Sequence, residues 1–335
     1  MKAAPIKPEE VFDHFCRANG MGTRFEHRRP ELGWLLGLIE QARYRVNITA
    51  SLLAQQFGIN RVHADIADCP EFNAFAAIDQ DVCLVGITST VLHCLYPLAG
   101  IIARYYESTT SLEGPIRQCL QDTNWATPES INRCCSVIQQ FGPLVPPEAQ
   151  RRHTDLFWNM LNIIVHHEFA HLYLGHVGYN NTVTGIAKLN EVQTISQVEQ
   201  QLWHAMEIQA DIGICLYLVA LCQRRPQPDL ELIILASYVV FSLLRILSPE
   251  ESSSHPHPLV RLILLLNRTG NEAKIEIDRM RERIRERVSR LRLNFFEHGI
   301  DRPFEELHRQ ASEIEEASNN KYIALFRPFR IIPPS

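Results

Sequence analysis

From residue 155 to residue 176 the chain is apolar nearly all round, yet His166, His167, Glu168 and His171 sit close together inside that run. A helix with no polar face must be buried. A buried helix cannot leave imidazoles and a carboxylate without partners except at a large desolvation cost. Whatever this chain folds into must therefore bring something to face those groups.

The order His167-Glu168-Phe169-Ala170-His171 suggests what that is. Residues i and i+4 lie on one face of a helix, so both imidazoles can reach one metal ion. Glu168 is rotated off that line and still reaches a water on the metal, where it can act as general base. The competing reading is a packed helix with two internally satisfied histidines. A catalytic metal site needs a third protein ligand and an open position. The segment Glu207-Ile208-Gln209-Ala210-Asp211 repeats the i, i+4 spacing with carboxylates. Glu207 is the expected third ligand, and Asp211 is expected to hold a ligand imidazole in its tautomer from behind. An acidic pair on a helix is otherwise a solvated face. Here it runs straight into Ile212-Gly213-Ile214-Cys215-Leu216, which argues for a dry setting.

The bulk properties exclude some classes. Asp and Glu number 38 against 33 Lys and Arg, a net charge of −5, so a nucleic-acid partner is not expected. Hydrophobic residues are 46% of the 335, enough for a real core. None of the nine Cys form a Cys-x-x-Cys pair, which sets aside a thiolate zinc knuckle. The opening residues lack the apolar core of a secretory signal. The thiols are read as reduced and the protein as cytoplasmic. Residues 212–222 and 232–244 are too short to span a bilayer, which takes roughly 20 residues. Residues 82–103 are interrupted by His93 and Pro97, although a membrane reading of that stretch competes.

Along the chain, residues 31–44 show helical spacing of Leu35, Leu38 and Ile39, and Val46 to Thr49 is open to a strand reading. Residues 61–66, 73–78 and 82–88 read as three short strands, broken by Cys69-Pro70 and by the turn Asp79-Gln80-Asp81. Helix is expected through 92–106. The Pro-rich stretch from Gly142 to Pro147 is the expected hinge. After the helix at 155–176 come a polar loop at 178–190, a helix at 192–222 and a buried helix at 230–247. Beyond residue 272, Ile277, Met280, Ile284, Val288, Leu291 and Phe295 form an apolar stripe at three- and four-residue spacing, with Arg and Glu interleaved around it.

Four segments together resemble a family. His167-Glu168-x-x-His171 followed by Glu207-x-x-Ala210-Asp211 looks like the gluzincin metallopeptidases related to the CaaX prenyl endopeptidase and the heat-shock protease HtpX. Asn73-Ala74-Phe75-Ala76 resembles that family's Asn-Ala-Phe-Ala strand. Ser254-His255-Pro256-His257-Pro258 with Arg261 resembles its His-Pro segment, although His257 stands where many members have Pro. Such members are mostly membrane-embedded. The style here is nearer a soluble offshoot of the type of the phage-exclusion peptidase Lit.

The resemblance implies an α+β, mostly helical fold: a zincin-like catalytic domain with a small antiparallel sheet and a buried HExxH helix. It divides the chain into 1–145, the N-terminal part of the catalytic domain including an edge strand; 146–268, the zinc-binding helical part; and 269–335, a C-terminal amphipathic helical extension. It implies Zn2+ as cofactor and peptide-bond hydrolysis in a protein or peptide substrate, with phage defence as the setting. Asn73, Ala74, Phe75 and Ala76 would form the edge on which substrate adds as a strand. His255 or Arg261 would approach the site and steady a developing oxyanion.

His166, His176 and His204 flank the site and are read as packed or exposed residues, because three ligands and a water already fill a tetrahedron. Cys134-Cys135 is read as two packed thiols. The Arg-rich face beyond residue 272 is half neutralised by Glu and Asp, so docking or self-association through that helix is expected there. A reading from another class remains open: a catalytically silent zinc-binding regulatory or interaction protein on the same scaffold. Intact Glu168 argues against it.

Overall fold

The computed structural model describes residues 6–25, 34–105, 147–184, 188–190, 197–224, 230–247 and 258–273, together with Glu286 and Arg309. The expectations for Cys134-Cys135, for His255 and His257, and for most of the C-terminal amphipathic stretch lie outside these residues. The described part is mostly helical with a small mixed sheet. In chain order it comprises α1 (Pro8–Ala18), α2 (Trp34–Phe57), β1 (Val62–Ala67), β2 (Ala74–Asp79), β3 (Val82–Thr88), α3 (Ser89–Tyr105), α4 (Pro147–Tyr173), α5 (His176–Thr184), β4 (Lys188–Asn190), α6 (Gln197–Arg224), α7 (Leu230–Leu247) and α8 (Pro258–Ala273).

The central element is α4, the helix that carries the paired histidines. It packs against α2, α3, α5, α6, α7 and the β2–β3 pair. Nothing less would cover a helix that is apolar on every side. One core cluster runs from Phe25 to Leu266 through this helix and so draws on both sides of the Pro-rich stretch.

The sheet has the order β1-β3-β2, with short β4 laid along β2. β2 and β3 form an antiparallel hairpin whose turn residues Gln80 and Asp81 have φ of 44° and 61°. Two left-handed residues give the turn a twist that matches the strands. β3 is buried along its whole length, as a strand covered on both faces must be. Alternation sorts the side chains of β2. Ala74 and Ala76 join the main core, whereas Phe75 and Ala77 join a second cluster with Phe12 and Phe15 of α1. The small alanines let α4 lie close against the sheet. The Phe75 ring lies across Gly86 of β3, where a Cβ would come within 2.0 Å of the ring.

Several sequence expectations are corrected here. The sheet is not purely antiparallel, because β1 and β3 run parallel. β2 is not an edge strand where it matters: Phe75, Ala76 and Ala77 are already paired with Asn190, Leu189 and Lys188 of β4. The polar loop expected at 178–190 holds most of α5 and all of β4. Val46 to Thr49 is the middle of α2. Its β-branched residues are helical because Val46 is buried in the core and Arg43 and Asn47 tie this helix to β1, through Asp65 at 2.6 Å and the Ala64 carbonyl at 3.3 Å. Tertiary contacts outweigh the local β preference. The stretch 82–103 is a strand followed by a helix. Among the described residues one helical segment, Trp203–Leu221 in α6, is long and apolar enough to cross a membrane by length and composition, and 56% of it is buried within the protein.

Gly86→Ala is expected to lower stability by about 3 kcal/mol, the upper end for forced overpacking. Urea unfolding followed by circular dichroism measures it. Adding Phe75→Leu should recover part of the loss; no recovery would mean the ring is not the obstacle.

Candidate metal centre

α4 and α6 cross at Gly213. A Cβ there would sit 2.2 Å from the His166 carbonyl oxygen and 3.1 Å from the Ala170 Cβ. Glycine in a helix interior costs stability, and close approach of another backbone is a common reason to keep it. The crossing brings Glu207 and Asp211 of α6 against His167 and His171 of α4.

The four side chains and Glu168 are 1–3% exposed. His167 Nε2 lies 3.0 Å from Glu207 Oε2 and 3.2 Å from His171 Nε2, and His171 Nε2 lies 3.5 Å from Glu207 Oε1. Donors held about 2.0–2.1 Å from one tetrahedral centre stand about 3.3 Å apart. The observed triangle has that size, and these three residues form a buried group that could hold a metal ion.

The protons can be assigned by following the hydrogen bonds outward. His167 Nδ1 is 3.1 Å from Asp211 Oδ1. A carboxylate only accepts, and Nε2 of the same ring also faces one, Glu207, so each tautomer serves one carboxylate; the tautomer with its proton on Nδ1 is the one that presents an Nε2 lone pair to an ion. On the other side, His176 Nε2 donates to Gln209 Oε1 at 3.0 Å. His176 Nδ1 is then an acceptor, and His171 Nδ1 donates to it at 2.9 Å. Burial holds His176 neutral, with its pKa down at about 4, which keeps that acceptor available. His171 Nε2 therefore presents a lone pair. With His167 protonated on Nδ1, two imidazole lone pairs and a carboxylate converge within one buried space. In a low-dielectric interior such acceptors repel one another unless a cation lies between them. This donor set fits a divalent ion.

Behind the triangle, Asp211 also accepts two bonds from Arg261 of α8, at 3.0 Å from Nε and 2.7 Å from Nη2. Burial pushes the Asp211 carboxyl up, and Arg261 with His167 outweighs that and holds it below its ordinary value. The guanidinium is 1% exposed and stacks 4.2 Å over Phe241 of α7.

The structure thus brings His167, His171, Glu207, Glu168 and Asp211 together where the sequence spacing placed them. Arg261 does approach the site: its guanidinium donates to Asp211 and stands 3.4 Å from His167 Nδ1 and 3.8 Å from Glu207. In this arrangement it fixes the carboxylates. Asn73 is buried, with its main chain paired to Thr88 at 3.0 and 3.1 Å. Ala74 and Ala76 face the α4 side, and Phe75 faces away from it. His176, read from the sequence as a packed or exposed residue flanking the site, is buried and bonded to His171. Gln209 and Gly213 were missed. A signal for Gly213 existed, a glycine two residues past Asp211 inside a helical run. The His176–Gln209 pairing carried none, since it arises only when α4, α5 and α6 meet.

No family model, no curated protein and no solved structure matches the chain.

His176→Leu should weaken metal binding about 10- to 100-fold, the usual effect of losing the group that orients a ligand imidazole. Competition against a chromogenic chelator measures this, and Gln209→Leu should shift affinity the same way by less. Wild-type affinity in His176→Leu would mean the chain of bonds does not set the His171 tautomer. Gly213→Ala, which touches no ligand, should also lower affinity by prising α6 from α4.

Proposed function

We propose that this protein is a zinc-dependent endopeptidase acting on a protein or peptide substrate met in the cytoplasm. One observation carries the proposal: both ligand imidazoles are held with Nε2 toward the Glu207 carboxylate, beside a buried Glu168. Two His and one Glu are the ligands of a hydrolytic zinc site rather than of a thiolate structural one, and they leave a fourth position open. Zinc there supplies the Lewis acidity that polarises a scissile carbonyl and brings the pKa of a water down to about 7.

The chain's own residues do the rest. Glu168 takes the proton of the attacking water and returns it to the leaving nitrogen. Its placement next to His167, in the buried second half of α4, fixes that carboxylate with little freedom to lose. Asp211 and Arg261 hold His167, and His176 with Gln209 holds His171, so the ligands need no rearrangement as charge develops. A substrate strand that extends the sheet on this side meets β4, because β2 is already paired from Phe75 to Ala77.

Glu168→Gln should bind one metal ion per chain, as wild type does, and should lose cleavage by a factor of at least ~100. Elemental analysis measures the first. The second is read by mapping new protein N-termini in cells expressing each form. A new N-terminus in wild type alone, abolished by a zinc chelator in extracts, is the expected result. If both forms carry metal and yield identical N-termini, the peptidase reading fails and the silent metal-binding scaffold stands.

A further inference from the structure

The far side of α4 from the metal has a feature that peptide hydrolysis does not use. Asn162, His166, Phe169 and Tyr173 follow one another at steps of four, three and four residues, so they form one stripe along the helix. The stripe floors a groove of about 460 Å³ between α2 and α6, a size within the roughly 300–1,000 Å³ of small-molecule sites. None of the metal-site side chains lines it.

Paired rings set its walls. Phe57 of α2 lies flat on Tyr173 of α4, with ring centroids 4.1 Å apart and planes 2° apart. Tyr217 of α6 lies against His166 of α4 at 4.6 Å. Each pair joins α4 to one wall, so the groove is formed in the protein as it stands and offers aromatic surface on both sides.

The polar groups at the floor have fixed roles. His166 Nδ1 is 2.7 Å from the Asn162 carbonyl oxygen. A carbonyl only accepts, so Nδ1 holds the proton and Nε2, across the ring from that bond, is a lone pair. Asn162 Nδ2 donates to Tyr217 Oη at 3.2 Å, and Tyr217 Oη donates to Asn159 Oδ1 at 2.7 Å. That relay orients the Asn162 amide and leaves its Oδ1 as a second acceptor. Among the described residues neither His166 Nε2 nor Asn162 Oδ1 receives a donor. No Asp, Glu, Lys or Arg is among the described residues that line the groove.

These features select the occupant. A charged molecule would give up its hydration with no countercharge opposite it. A molecule without a donor would cover the lone pairs and leave them unpaired. We propose that the groove is a binding site for a small, neutral, flat aromatic molecule whose N–H or O–H donates to His166 Nε2, with Asn162 Oδ1 open to a second donor. The site is separate from the metal centre and does not rest on the peptidase reading.

Indole is a suitable probe, being neutral and flat with one N–H; benzofuran has the same shape and no donor. Isothermal titration of the full, metal-loaded chain measures both. Indole is expected to bind at one site per chain and benzofuran at least ~10-fold more weakly, the effect of one unmade hydrogen bond in a dry site. Ala220→Trp fills the groove from α6, where residue 220 is half-buried. It should abolish binding of both probes while metal content and helicity stay as in wild type. His166→Leu should bind the two probes equally. Equal affinities in wild type, a comparison that needs no variant to fold, would overturn the proposal. Undiminished indole binding in Ala220→Trp would place the probe elsewhere and overturn it too, as would the absence of saturable indole binding.

Discussion

Three helices from distant parts of the chain meet on one carboxylate. Asp211 of α6 receives His167 of α4 at 3.1 Å and the guanidinium of Arg261 of α8 at 2.7 Å, both on Oδ1. All three groups are buried. The buried charges there are three carboxylates, Asp211, Glu207 and Glu168, against one guanidinium. Arg261 lies in hydrogen-bond range of Asp211 and 3.8 Å from Glu207, so it neutralises the first far better than the second. Three buried carboxylates with a single cation are two positive charges short. A divalent ion at the Glu207 end would supply both. The arginine thus makes Asp211 tolerable inside the protein, and an ion would do the same for the rest.

The same arrangement explains why the second half of α4 has no solvent face, whereas its first turns expose Glu148, Gln150, Arg151 and Thr154. His167 and His171 look toward α6 and α8, while Asn162, His166, Phe169 and Tyr173 look toward α2 and the groove. His166 is held neutral by burial, with its pKa down at about 4, and donates from Nδ1 to the Asn162 carbonyl at 2.7 Å. Adjacent histidines therefore have opposite fates on one helix: His167 faces a ligand site and His166 closes a local backbone bond. The absence of a side chain at Gly213 sets the distance between the two faces of this crossing, since its Cβ would strike the His166 carbonyl. One glycine fixes both how near Glu207 comes to the imidazoles and how wide the groove opens behind them.

This division also explains what the sequence could show. His167, His171, Glu207 and Asp211 were legible because helical periodicity alone puts i and i+4 on one face, and two such pairs need only one crossing to meet. Glu168 followed from the same register. The strands at 62–67, 74–79 and 82–88 were legible from alternation and turn residues, but their pairing was not. A parallel β1–β3 pair with β2 on the outside of β3 depends on where the connection after β1 crosses, and Cys69-Pro70 says only that the chain turns. Arg261 was found near the site, but its bond to Asp211 was not foreseen, because spacing shows that an arginine comes near a site and not which side it approaches from. The pairing of His176 with Gln209 was invisible for a related reason. Gly175, at φ 79°, ends α4 and swings His176 back under His171, and no periodic pattern survives such a reversal.

Ligands oriented this way tie metal binding to folding. In an unfolded chain the imidazoles sample both tautomers and Glu207 is hydrated. In the folded chain both Nε2 atoms face Glu207, and with lone pairs inward they would place three acceptors together. An ion bound there would offset that repulsion, and binding free energy of this kind is folding free energy. Helices α4, α6 and α8 would then depend on the ion more than α1 or the sheet, because Asp211, Glu207 and the two histidines lie where these helices meet. The outer elements rest on apolar packing around Phe75 and β3, which the ion does not touch.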